Sequence, residues 1–113
     1  MDFDDLVATY NLEENLIEVE NQLQDLFDEN FADSYETGMF PEPDAENEGK
    51  FFVSLDIESK KTKLSKDQLE SIAQELEQCL LGLLGDTWSD EELKGFKVAF
   101  SGVQIFLNGK KLH

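Results

Sequence analysis

Residues 51–69, "FFVSLDIESKKTKLSKDQL", decide the fold, because the hydrophobic period changes within them. Phe51, Val53, Leu55 and Ile57 alternate with Phe52, Ser54, Asp56 and Glu58, the pattern of a strand with one buried and one mostly wet face. A polar connection containing Lys60, Lys61 and Lys63 follows. Ser65 and Gln68 then fit a capping box, and Leu64 with Leu69 fits the hydrophobic staple around it, so a helix starts here. Ile72, Ala73, Leu76, Cys79, Leu80, Leu83 and Leu84 continue at helical spacing, and Gly85 reads as the stop.

Downstream, Ser89 and Glu92 fit a second capping box, with Trp88 and Leu93 as its staple, and Gly95 closes a short helix. Phe96, Val98 and Phe100 alternate next, then Val103, Ile105 and Leu107, with Ser101-Gly102 as either a hairpin turn or a bulge. Asn108-Gly109 predicts a type I′ turn, after which Lys110 to Leu112 return as a short edge strand. Lysines on such an edge discourage further pairing.

Upstream, Phe3, Leu6, Val7 and Tyr10 share one helical face, continued by Leu12, Leu16, Val19, Leu23, Leu26 and Phe27, with Asn11 as the place for a break. Pro41 and Pro43 interrupt this pattern, and residues 32–49 read as a long acidic loop. The expected architecture is α+β. A long N-terminal helix and a second core helix pack on one face of a small, mainly antiparallel sheet of three to four strands. One domain spans 1–113, divided into an acidic helical segment (1–31), an acidic Pro-containing loop (32–49) and a β-α-(short α)-β-β body (50–113).

Charge is distributed unevenly along this plan. Residues 1–50 hold sixteen Asp and Glu against Lys50 alone, whereas residues 51–113 hold ten acids and eight lysines, together giving the net −17. Seven carboxylates fall in residues 11–30 without one lysine. Like charges four residues apart cost a helix about 0.2–0.5 kcal/mol each. A solvated helix face ordinarily mixes both signs, and the second half of this chain does so. Keeping lysine out of the first 49 residues therefore indicates a requirement for a negative field, which steers association with a basic surface.

Other chemistries have weak support. His113 stands at the last position, and Cys79 lies on the apolar face of the core helix, so neither reads as a catalytic base or nucleophile. No His/Cys cluster suits zinc. "DAENEGKFFVSL", from Asp44, follows an EF-hand loop at its first six positions but has Leu55 where the bidentate Glu belongs. The chain has no arginine and no glycine-rich phosphate loop, and its acidic half would repel a nucleic acid. No apolar run reaches membrane length, and Met1-Asp2-Phe3-Asp4-Asp5 is unlike a basic signal peptide, so a cytoplasmic setting is expected.

The expected function is non-catalytic and cofactor-free. Glu14, Glu18, Asp25, Asp28 and Glu29, with Asp33, Glu36, Glu42, Asp44, Glu46 and Glu48, form an acidic surface for a basic nuclease or other nucleic-acid-binding protein, and carboxylates stand in for phosphates. Tyr35 and Phe40 serve as apolar anchors. Immunity proteins of toxin nucleases, phage inhibitors of nucleases and DNA-mimic regulators share this physics. The resemblance is one of kind, carried by charge rather than by a family motif. Two alternatives differ in class: an assembly adaptor, monomeric or homodimeric through the apolar side of the first helix, and a small carboxylate- or metal-dependent enzyme.

Overall fold

The computed structural model describes residues 2–32 and 34–113. Its elements run α1 (Phe3–Thr9), α2 (Leu12–Gln22), α3 (Gln24–Phe31), β1 (Tyr35–Pro43), β2 (Phe51–Ser59), α4 (Lys66–Thr87), α5 (Asp90–Ala99), β3 (Phe100–Leu107) and β4 (Lys110–Lys111). The four strands form one sheet in the order β1-β2-β3-β4. β1 and β2 are antiparallel, as are β3 and β4, while the central pair β2 and β3 is parallel. The parallel pairing follows from the connection: α4 and α5 carry the chain back to the end of the sheet where β2 began.

Phe51, Val53, Leu55 and Ile57 of β2, with Ile105 and Leu107 of β3, are buried under the helices. α2 packs over β1 and beside α4, and α4 packs over β3. The core thus lies between one helical layer and one face of the sheet. Both capping boxes form as the sequence predicts. Ser65 Oγ accepts from the Gln68 N–H at 3.1 Å, while Gln68 Oε1 accepts from the Ser65 N–H at 2.9 Å. Ser89 and Glu92 repeat the exchange at 3.2 and 3.1 Å.

Four details depart from the sequence expectation. The N-terminal segment is three helices: it breaks at Asn11, the place marked in the sequence, which is left-handed (φ 52°, ψ 44°), and also at Leu23, which the sequence reading does not expect. At the first break the Asn15 amide donates to the carbonyls of Tyr10 and Asn11, and the Tyr10 hydroxyl donates to the Glu92 carbonyl at 2.9 Å. The turn therefore delivers Tyr10 to α5, where its ring meets Trp88 and Phe96 edge-on. The helix from Lys66 passes through Gly85 to Thr87. α5 runs through Gly95 to Ala99, because Leu93, Phe96 and Ala99 are buried at three-residue spacing, and Val98 points outward instead of continuing a strand. Ser101-Gly102 is no departure: of the two readings open to it, it takes the bulge, with Gly102 at φ +130° where the β2–β3 register shifts.

The fourth difference matters most: the expected loop 32–49 contains β1, paired with β2 over nine residues. Its prolines fit because of backbone parity. The Asp44 N–H bonds the Lys50 carbonyl at 2.9 Å, so residues 44 and 50 form a hydrogen-bonded pair, and the next pair, Pro43 with Phe51, does not. From β3's side, the Asn108 N–H donates to the Ile57 carbonyl, which places odd-numbered backbone groups of β2 toward β3 and even-numbered ones toward β1. Pro41 and Pro43 therefore lack only N–H groups that would point away from the sheet, the one setting in which a strand tolerates proline.

The burial pattern gives a direct test of α2's orientation. Leu16 is fully buried and its neighbour Ile17 is 60% exposed. Leu16→Ala is expected to cost about 2–5 kcal/mol, and Ile17→Ala to stay within about 0.5 kcal/mol, in chemical denaturation. Comparable losses at the two positions would mean that α2 is rotated from the arrangement described.

Candidate interaction surface

The acids of the first half do not form one stripe: they fall on the outer side of the helical layer, on the opposite face of the sheet and in the β1–β2 connection. Glu14 and Glu18 lie on the exposed side of α2, and Asp25, Asp28 and Glu29 on that of α3, separated by the break at Leu23. Glu36 and Glu42 belong to β1, on the sheet face turned away from the helices, where Glu36 sits directly opposite Glu58 of β2. Like charges in that position weaken a strand pair. Glu46 and Glu48 are exposed in the connection between β1 and β2. Asp33 lies outside the described residues.

Asp44 differs from its neighbours because its carboxylate is used inside the chain. Oδ2 accepts from Ser101 Oγ at 2.8 Å and Asn47 Nδ2 at 3.0 Å, and Oδ1 accepts from the Glu46 N–H at 3.0 Å. These donors, led by the Ser101 hydroxyl, hold its pKa below the ordinary carboxylate value. Asp44 organises the β1–β2 connection and ties it to the bulge in β3.

Tyr35 likewise serves the fold. Its ring packs at the margin of the core, 6.2 Å from Phe27 and 6.0 Å from Phe31 between centroids. Its hydroxyl donates to Asp28 Oδ1 at 2.6 Å. Phe40, in contrast, is 38% exposed.

Among the described residues two ion pairs occur, Lys66–Glu70 and Lys94–Glu91, each within a single helix of the second half. The lysines thus leave the described acids of α1, α2, α3 and β1 without a direct counter-charge. Lys61 donates to the Asn30 carbonyl at 3.1 Å and lies 6.0 Å above the Phe31 ring, without pairing an acid. Cys79 donates to Gln22 Oε1 at 3.3 Å, and burial, then Glu18 and Glu75, push its pKa up, away from nucleophilic reactivity. Among the described residues, no three His, Cys, Asp or Glu side chains group closely enough to hold a metal ion.

The feature that the sequence reading missed is a groove of about 370 Å³ where α1 and α2 meet β1. Phe3, Val7, Ile17, Met39, Phe40 and Pro41 supply its apolar wall, and Asp4 and Glu13 its acidic rim. Met39, Phe40 and Pro41 are consecutive, and side chains in a strand alternate between faces. A groove that touches all three runs along the strand's open edge. Glu20 accepts from Thr37 Oγ1 at 3.0 Å and fixes α2 against the same strand. One sequence signal marked the place: Ile17 is an apolar residue outside the Leu12, Leu16, Val19 face.

No family model, curated protein or solved structure matches this chain.

The Tyr35–Asp28 contact gives this surface a measurable pH signature. The hydrogen bond to Asp28 is the main cause that raises the Tyr35 pKa from 10.0 to about 12, with burial and the charges of Asp28 and Asp25 adding to it. A phenol with a folded pKa above its unfolded value contributes its stabilisation in full below about pH 10, and loses it as pH rises toward 12. Ultraviolet titration should show a late tyrosine component that disappears in Tyr35→Phe and moves toward 10 in Asp28→Asn. A wild-type chain whose tyrosines both titrate at 10 would mean that the contact is absent in solution.

Proposed function

We propose that this protein is a non-catalytic binding protein that inhibits or regulates a basic, nucleic-acid-binding partner by offering carboxylates where phosphates would sit. One observation carries the reading: the acids on the outer sides of α2 and α3 and on β1 are solvent-facing, and the chain's lysines are not paired with them among the described residues. Such a surface costs stability through self-repulsion. It steers a basic partner to the molecule and orients it, raising the association rate by about 10–10³-fold at low salt. Individual exposed charge pairs are worth only about 0.2–1 kcal/mol, so lasting affinity needs an apolar contact, and the groove at the β1 edge provides one.

The homodimeric adaptor reading depended on the apolar side of the N-terminal helices. Among the described residues Leu12, Leu16, Val19, Leu23 and Phe27 of that side are buried in the core of one chain rather than offered to a second copy, which supports the reading above.

The test is competition. The partner is captured from the source cell at low ionic strength, and its binding to nucleic acid is titrated with this protein. Mutual exclusion is expected, with a steep loss of affinity between about 50 and 200 mM salt. Charge reversal at Glu14, Glu18 and Asp25 to Lys should abolish it while leaving the fold intact, since all three are exposed. A ternary complex in which the partner holds nucleic acid and this protein together would sink the mimicry.

A further inference from the structure

β1 is an edge strand with one neighbour, and its parity divides it into two unlike halves. Odd-numbered residues turn their backbone groups away from β2, by the pairing derived above. In the second half those residues are Pro41 and Pro43, which have no N–H to offer. In the first half they are Tyr35, Thr37 and Met39, each with a donor and an acceptor directed to the open side. Proline, charge and shortness are the usual protections of a free edge. Here proline closes one half only, and the open half meets, at Met39, the apolar groove that Met39, Phe40 and Pro41 line together with Phe3, Val7 and Ile17.

We propose that the open half of β1 accepts an extended, basic segment of the partner as an additional strand, with apolar side chains of that segment entering the groove. This rests on the reading that the partner is basic, and it specifies how the partner binds.

The two sides of an added strand would meet different surroundings. Side chains turned to the helices meet the apolar wall and its rim, Asp4 and Glu13. Side chains turned the other way meet the outer sheet face beside Glu36 and Glu42, which form no ion pair with a lysine among the described residues. A segment that alternates apolar and basic residues satisfies both, since strand side chains alternate with period two. Backbone pairing supplies affinity in this mode, and the side pockets supply selectivity. A second copy of β1 fits poorly, because pairing it here brings two sets of Glu36 and Glu42 together on chains of net charge −17.

The probe is a peptide of alternating lysine and valine about as long as β1, blocked at both ends. It is compared with the same peptide N-methylated at every second amide and with oligolysine of equal charge. Binding to the full chain is followed by backbone amide NMR. The alternating peptide should shift and protect the Thr37 and Met39 amides. The N-methylated peptide in the strand-blocking register, and oligolysine, should bind about tenfold or more weakly, equivalent to about 1.4 kcal/mol. Thr37→Pro, which removes an outward N–H from the middle of the open half, and Ile17→Asp, at an exposed groove wall, should each weaken the alternating peptide to a similar degree. If Thr37→Pro unfolds, the N-methylated peptide still tests the pairing on the unaltered protein. Equal, salt-sensitive binding of all three peptides would overturn strand addition while leaving the basic-partner reading in place. No binding by any of them at low salt would overturn both.

Discussion

Parity in β2 is the constraint from which the remaining structure follows. In a strand, side-chain direction and backbone hydrogen-bond direction both alternate with period two. Odd-numbered residues of β2 therefore face the helices with their side chains and β3 with their amides. Burial of Phe51, Val53, Leu55 and Ile57 fixes this choice, because a slip by one residue would present Asp56 and Glu58 to the core. Fixing it leaves the even-numbered amides for β1, and so turns the odd-numbered amides of β1, prolines included, to the open edge. A hydrophobic pattern in one strand thus determines the hydrogen-bonding character of a surface on the next.

The same core allows the acidic surface to persist. Acids in the first turns suit the N-termini of α1, α2 and α3, but Glu14 with Glu18 in α2 and Asp25 with Glu29 in α3 stand four residues apart with no base in the last turns, so charge repulsion opposes these two helices. Short helices have little stability of their own. What holds these is the burial of Leu6, Leu12, Leu16, Val19, Phe27 and Phe31, each side chain worth about 1.5–3 kcal/mol when fully removed from water. That exceeds the cost of a like-charge neighbour several-fold. The molecule can therefore keep an unneutralised exterior on one set of helices while α4 and α5, of mixed charge, complete the layer.

Not every carboxylate in the acidic half has the same role. Asp44 and Asp28 are acids by composition but structural acceptors by position, one holding the hairpin to Ser101 and the other receiving Tyr35. Glu20 does similar work toward Thr37. The carboxylates left for a partner are those that tie no two elements together: on the outer sides of α2 and α3, where Glu14 and Glu18 accept only from Asn11 and Gln22 of their own helix and its cap, on the outer face of β1 and in the hairpin connection. At the β1 edge itself the acids are Asp4 and Glu13 on the helix side and Glu36 and Glu42 on the outer face of the strand.

Local patterns were enough to place β2, α4, both capping boxes, the Asn108-Gly109 turn and the α+β class, because each depends on neighbours within a few residues. They also marked the lopsided charge. The path of the N-terminal segment was only partly legible: Asn11 was marked as a break, but the second break at Leu23 and the docking of Tyr10 on Glu92, distant in sequence, were beyond local patterns. Alternation at Phe96, Val98 and Phe100 was outweighed by the helical burial of Leu93, Phe96 and Ala99. β1 was hidden for a related reason: proline excludes a strand only where its missing N–H would have been used, and that depends on the side from which β2 approaches. Sequence determined which residues would be buried and which charged; tertiary structure alone decided which backbone groups and which acids remained free, because pairing partners are set by contacts across the chain.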